Sequence, residues 1–413
     1  DVSPMRVEKT LKSLAPKLSC GPDGIPALLL KRLACPLAAP LSLLFTRSLV
    51  NCDIPNQFLC CRTTPVFKKK GDNCDPTSYR PISVASSIGK VLELIINARL
   101  TSFLESTHYL CPQQFGFRQK RSTQSQLVTF VDYVTAANAP VDVVMTDFSR
   151  AFDTPPQRKI GAKLFHAGLR GSALHWIVEF MSTRSSFVSI GLSSSADYPI
   201  STGLAQGSPL SATCYTVYIA DLTRHLNQLN VAAFSYADDL KLASPNSAAL
   251  QNSLTVLEKW CSDWQTSLAP HKCFSVRFGD GQAPDYLLAS IPIPRLTEPC
   301  YKDLGVIMDP ALSFTRHING VIAKAGGIAR RILRNFHTKC VHTLFAAFTA
   351  YSRPHLEFAS IVWNSCPRKS SDRIESVQRM FTRRIFQRAG LKCMEYETRL
   401  SYLDAQSLAS RRE

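Results

Sequence analysis

Three carboxylates are the residues best suited to chemistry in this 413-residue chain. Two are adjacent, in Phe234-Ser235-Tyr236-Ala237-Asp238-Asp239-Leu240-Lys241-Leu242. Apolar residues flank them on both sides, a pattern that predicts strand, tight turn, strand with the acids at the turn. Neighbouring carboxylates repel, which raises at least one pKa unless a cation stands between them. A divalent metal would remove that conflict, and a solvated Asp-Asp turn would account for the stretch equally well. The third acid is Asp147, at the end of Val141-Asp142-Val143-Val144-Met145-Thr146-Asp147-Phe148, which reads as a strand before residues 149–153 turn away. Asp153, beyond that turn, reads as structural.

Other stretches must position these acids. Between them, Gly203-Leu204-Ala205-Gln206-Gly207-Ser208-Pro209-Leu210-Ser211 reads as a glycine-rich loop entering an apolar helix over about 212–222. Glycine lets backbone approach a ligand and a helix start favours anions, although a plain connection explains the loop nearly as well. After the acid pair, Asn246 or Ser247 can cap a helix whose Leu250, Leu254, Leu257, Cys261, Trp264 and Leu268 share one face; Trp260 and Trp264 read as core. Upstream, Gly21-Pro22-Asp23-Gly24 is a turn before a helix over 27–33, and residues 88–100 carry helical apolar spacing. Pro65-Val66-Phe67-Lys68-Lys69-Lys70-Gly71 runs from apolar into basic, with Arg80 soon after. The lysines fit a solvated face, or a triphosphate site with Arg80 as bidentate partner. Gln114-Phe115-Gly116-Phe117-Arg118 precedes Ser122-Thr123, where a hydroxyl can cap a helix through Leu127 and Val131.

Composition bounds the class. Lys plus Arg is 48 against 31 Asp plus Glu, a net charge of +17, which favours a polyanionic partner. The excess is uneven: residues 316–413 hold 18 Lys/Arg against 7 Asp/Glu, so that end is the candidate for gripping phosphates. No apolar run is long enough for a membrane span. The 14 cysteines form no C-x-x-C pair, so neither a zinc site nor a disulfide framework is expected, and reduced thiols in an intracellular protein, nuclear or cytoplasmic, are the simplest account. The chain starts at Asp1 without a signal pattern and reads as a piece of a longer one.

Taken together, seven stretches resemble the reverse transcriptases of non-LTR (LINE-type) retrotransposons, in that family's order. They are Gly21-Pro22-Asp23-Gly24-Ile25-Pro26, Tyr79-Arg80-Pro81-Ile82-Ser83, Gln114-Phe115-Gly116-Phe117-Arg118, Asp147-Phe148-Ser149-Arg150-Ala151-Phe152-Asp153, Gln206-Gly207-Ser208-Pro209-Leu210-Ser211, Tyr236-Ala237-Asp238-Asp239 and Leu304-Gly305.

The resemblance implies an α+β right-hand polymerase. Fingers with an N-terminal extension would occupy 1–140, a palm of antiparallel sheet backed by helices 141–310, and a basic helical thumb 311–413. Asp147, Asp238 and Asp239 would hold two Mg²⁺ ions, with Mn²⁺ as a substitute, for nucleotidyl transfer. Lys69 and Arg80 would meet the triphosphate, Gln206 and Gly207 would line the nucleotide pocket, and Lys272 would protonate departing pyrophosphate. Phe152 would sit under the incoming sugar and exclude a 2′-hydroxyl, which argues against a viral RNA polymerase. Leu304 and Gly305 would form the primer grip. Implied partners are an RNA template, a DNA primer and deoxynucleoside triphosphates. Ala205, Ala212, Pro155, Gln157 and Ala269 depart from the family pattern, so a decayed or domesticated nucleic-acid-binding copy is one alternative; a group II intron or retron-type enzyme is another.

Overall fold

A computed structural model describes residues 2–364, 367–391 and 394–412, so Cys366 and Cys393 lie outside the described residues. The fold is α+β, and the chain divides into two compact units. The first comprises the chain up to Arg121, Val144–Cys273 and Tyr286–Ile293; the second comprises Ser122–Val143, Phe274–Asp285 and the chain from Pro294 onward. Among the described residues no helix is long and apolar enough to cross a membrane.

Two sheets organise the first unit. In one, β1 (Cys60–Phe67) pairs antiparallel with β2 (Tyr79–Ala85), and the outer pair of that register sets Val66 opposite Arg80 and Phe67 opposite Tyr79. Strand β4 (Ser185–Ile190) lies parallel to β1 and carries the short strands β5 (Ser193–Ser194) and β6 (Tyr198–Pro199). The other sheet holds the acids. Strand β7 (Ala232–Tyr236) folds back on β8 (Asp239–Ser244), and β8 lies next to β3 (Val141–Thr146). Thr146 Oγ1 donates to the Leu240 carbonyl at 2.9 Å, a buried bond that locks the C-terminal end of β3 to the hairpin close to its turn. The strand, turn, strand reading therefore holds, with Ala237 and Asp238 at the tip and Asp239 already paired with Tyr236.

Apolar side chains from these strands and their helices form one core that includes Leu92, Val144, Leu210, Tyr218, Leu242 and Leu254. The long helix Ser87–Ser106 starts under a Ser86 cap, and Asn246 caps Ser247–Trp264 by accepting from the amides of Ala248 and Ala249. The helix expected over 212–222 instead begins at Pro209, because proline suits the first turn and Ser208 accepts from the Ser211 amide. It stops at Tyr218, and a second helix runs Ala220–Asn227. Trp260 is core as expected: with Tyr218 and Trp264 it surrounds the buried Lys163 ammonium, which pairs with Asp221.

In the second unit, Ser122 caps Thr123–Ala136 with a reciprocal bond through Ser125. Asp142, in the first half of β3, accepts two bonds from Arg277 at 2.7 and 2.8 Å. The helices Thr315–Asn335, Val341–Tyr351 and Arg368–Arg388 bury Ile318, Leu344, Phe348, Phe381 and Ile385, with Phe348 and Phe381 stacked at 4.7 Å. Arg330, Arg331, Arg334, Arg373, Arg379, Arg383 and Arg384 are left exposed on two of these helices. The hairpin Tyr301–Asp303 to Val306–Met308 turns at Leu304 and Gly305, both with positive φ, where a Gly305 Cβ would press on the Phe358 ring at 2.9 Å.

Candidate active site

One open cleft of about 1250 Å³ in the first unit gathers Asp147, Asp238, Arg80, Phe152, Gln206, Gly207 and Lys272. These seven come from five separated stretches of sequence. Asp147 follows β3 directly. Its carbonyl accepts from the Ala269 amide at 2.8 Å, and the Ser149 amide donates to Ser267 at 2.8 Å, which lays the 267–272 loop along the strand end. Lys272 is thereby brought to Asp147, Nζ to Oδ2 at 3.3 Å. Both side chains are substantially exposed, so this pair is worth under about 1 kcal/mol and separates readily.

Asp238 sits at the hairpin tip behind Ala237, whose φ of 56° is left-handed for a non-glycine residue. Burial, then the charge of Asp147, hold the Asp238 carboxyl above its ordinary range; its own amide and Lys272 partly offset this. The two carboxylates are thus electrostatically coupled. Asp239 is exposed and outside the cleft lining, and among the described residues no group of three or more His, Cys, Asp and Glu is arranged to hold a metal.

The tip is braced from outside the sheet. Gln114-Phe115-Gly116-Phe117-Arg118 runs beside β7: the Phe115 amide donates to Ser235 at 2.9 Å and the Ser235 amide to Gln113 at 3.1 Å. Arg118 anchors this stretch through a two-pronged bond to Glu105 at 2.8 and 2.6 Å and through the carbonyls of Cys111 and Gln114.

Phe152 stacks on buried Tyr215 at 4.7 Å and meets Phe117 edge-on at 6.0 Å. Burial holds the Tyr215 phenol well above its usual range, so it stays neutral. Gln206 is fastened through its carbonyl, which accepts from Ser83 of β2 at 3.1 Å. Gly207 needs both its φ of 112° and its missing side chain, since a Cβ would lie 2.9 Å from the Ser83 carbonyl oxygen. Next in the loop, the Ser208 hydroxyl donates to buried Glu93, whose pKa burial raises.

Lys68, not Lys69, lines the cleft; both are exposed, and Lys69 has a left-handed φ of 58°. Strand alternation carries the signal: Val66 faces Arg80 across the ladder, and Lys68 is two residues on. Thr77, Tyr79, Phe117, Arg150, Asp153 and His271 also line the cleft. Leu304 and Gly305 belong to the second unit, described above. Phe117, Arg150 and Ala237 in this region have left-handed backbone, as do non-glycine residues elsewhere in the chain.

Residues 67–308 match the family model described as "Reverse transcriptase (RNA-dependent DNA polymerase)", more than half of the chain. The chain is a member of the reverse transcriptase family. Among curated relatives, the RNA-directed DNA polymerase from mobile element jockey of Drosophila melanogaster is 29% identical over 271 residues, covering 60% of this chain and 28% of the relative. The probable RNA-directed DNA polymerase from transposon BS of the same species is 27% identical over 411 residues, covering 93% and 45%. This reverse transcriptase therefore spans less than half the length of either relative, and both support the non-LTR, LINE-type assignment. Among solved structures, a telomerase from Candida albicans in complex with a telomeric RNA fragment is similar with a TM-score of 0.45 at 11% identity, covering 89% of this chain and 70% of that one.

Proposed function

We propose that this reverse transcriptase is the polymerase portion of a LINE-type element that extends a DNA primer on an RNA template, from a nuclear or cytoplasmic location. The observation that carries the proposal is the convergence of Asp147, Asp238, Arg80, Phe152, Gln206 and Lys272 on one cleft within the family-matched segment.

The donor set fits a hard cation. Two coupled carboxylates stand at adjacent strand ends, and magnesium is commonly held by one or two carboxylates together with water and substrate phosphate. Asp147 and Asp238 would hold Mg²⁺, as a pair of ions or with Mn²⁺ in its place; Asp239 lies outside the cleft lining, and the remaining ligands would be water and substrate phosphate. When bound, the metal supplies positive charge for the primer 3′-hydroxyl and the triphosphate.

The chain's own residues do the remaining work. Arg80 offers its guanidinium fork to phosphate oxygens, with the charge of Lys68 in the same cleft and Lys69 outside its lining. Phe152, held by the Tyr215 ring, leaves a 2′-hydroxyl neither room nor a hydrogen-bond partner, which favours deoxynucleotides. Lys272 carries a proton beside Asp147 for the departing pyrophosphate. Gln206 and Gly207 frame the nucleotide, and Leu304 and Gly305 form the grip on the primer end. Fingers would span 1–140, palm 141–310 and thumb 311–413, where the exposed arginines would hold duplex backbone without reading sequence. At Ala269, one of the departures from family pattern, it is the backbone amide that meets Asp147, a contact that any residue but proline can make.

Extension of oligo-dT on poly-rA tests the reading. Incorporation of dTMP is expected with Mg²⁺ or Mn²⁺ and not with EDTA. Template binding without incorporation under either ion would overturn it and favour the decayed, nucleic-acid-binding copy.

A further inference from the structure

Asp153, which reads as structural in the sequence, shares the cleft with Gln206, and its Oδ1 accepts from Gln206 Nε2 at 3.2 Å. We propose that Asp153 is the positioning residue of Gln206, selecting which end of that amide is offered to the incoming nucleotide. The inference rests on the reading of this cleft as the nucleotide site.

The two residues are held from opposite sides. The Asp153 amide donates to the Arg150 carbonyl at 2.8 Å, and its own carbonyl accepts from Thr202 Oγ1 at 3.3 Å. The loop leading to Gln206 is wrapped around that backbone, for a Cβ on Gly203 would lie 2.6 Å from the Asp153 carbonyl oxygen. Gln206 in turn is pinned through its own carbonyl to Ser83. With both backbones fixed, the amide of Gln206 is the part still able to rotate.

An ionised carboxylate only accepts hydrogen bonds, so Asp153 can hold the amide by its NH₂ end alone. Oε1 then remains as the acceptor offered to a donor on the ligand. The bond is charge-assisted and therefore stronger than a neutral pair. Electrostatics point the same way: a carboxylate in a cleft that takes a triphosphate opposes binding, unless its charge is used on a partner such as this amide.

Steady-state dTTP incorporation on a primed RNA template provides the test. Asp153→Ala should raise KM for the nucleotide about tenfold and change kcat by less than about twofold, the signature of lost uniform binding. Asp153→Asn keeps an acceptor oxygen and should stay within about threefold of wild type. Asp153→Ala combined with Gln206→Ala should be no worse than Gln206→Ala alone, because the carboxylate then has nothing to hold. Should Asp153→Ala fail to fold, Gln206→Glu answers separately: it opposes two carboxylates and raises KM, and adding Asp153→Asn restores it. An unchanged KM in Asp153→Ala, effects that multiply in the double variant, or no restoration by Asp153→Asn would overturn the positioning role. An inactive wild-type protein would overturn the reading of the cleft itself, and this inference with it.

Discussion

Gly116 lies hard against Ala237: a Cβ on Gly116 would be 2.9 Å from the Ala237 Cα and closer still to its nitrogen. The stretch around Gly116 is thus a brace for the turn that presents Asp238. Gly116→Ala should push that turn aside, costing about 1–3 kcal/mol of stability and at least about tenfold in incorporation. Thermal unfolding and primer extension on the same preparation check both effects; wild-type values in both would remove the brace.

Lys68 and Lys69 are neighbours with different surroundings. Lys68 lines the cleft, while Lys69 leaves the strand with positive φ. Lys68→Ala is expected to raise the nucleotide KM by about five- to tenfold, and Lys69→Ala by less than about twofold. The reverse ranking would show that the strand alternation misassigns the phosphate contact.

Phe152 carries both packing and selectivity. Replacing it by valine removes the stack on Tyr215 and should cost about 1–3 kcal/mol. The same change opens space below the sugar, so the preference for dTTP over UTP should fall by about tenfold or more. Competition between the two nucleotides measures this; an unchanged ratio would assign the discrimination to another residue.

The Asp238 carboxyl is raised by burial and by Asp147. The folded protein therefore holds this proton more tightly than the unfolded chain. Stability falls as pH climbs from the ordinary carboxylate range through the raised value, and above it the full cost is present. Asp238→Asn removes that cost and should stabilise the protein by up to about 1 kcal/mol near neutral pH in EDTA, with the gain shrinking toward pH 4. Urea unfolding at several pH values reads the difference; a gain that grows on acidification would contradict the stated cause.

Local chemistry was legible in the sequence. Ser122 and Asn246 announce their helices because capping involves residues two or three positions apart, and the Asp238 hairpin follows from alternation on either side of a turn. What the sequence did not disclose depends on distant backbone. The contact of Gly116 with Ala237, the stack of Phe152 on Tyr215 and the bond from Gln206 to Asp153 each join residues more than fifty positions apart. Asp153 illustrates this: the turn that separates it from Asp147 returns its carboxylate to the same cleft, which the sequence spacing does not show. Lys68 was within reach, since the ladder that faces Val66 with Arg80 also settles which lysine follows on that face. The helix break at Ile219 has no comparable marker, because Tyr218 and Ala220 are both buried and the apolar pattern runs through it.

The central claim is that Asp147 and Asp238 act together in nucleotide addition, and single-nucleotide extension of a primed RNA template with Mg²⁺ tests it most directly. Asp147→Ala and Asp238→Ala should each lower the rate by about a thousandfold or more while the proteins remain folded and bind the template as wild type does. Retention of more than about a tenth of the wild-type rate by either folded variant would contradict the account.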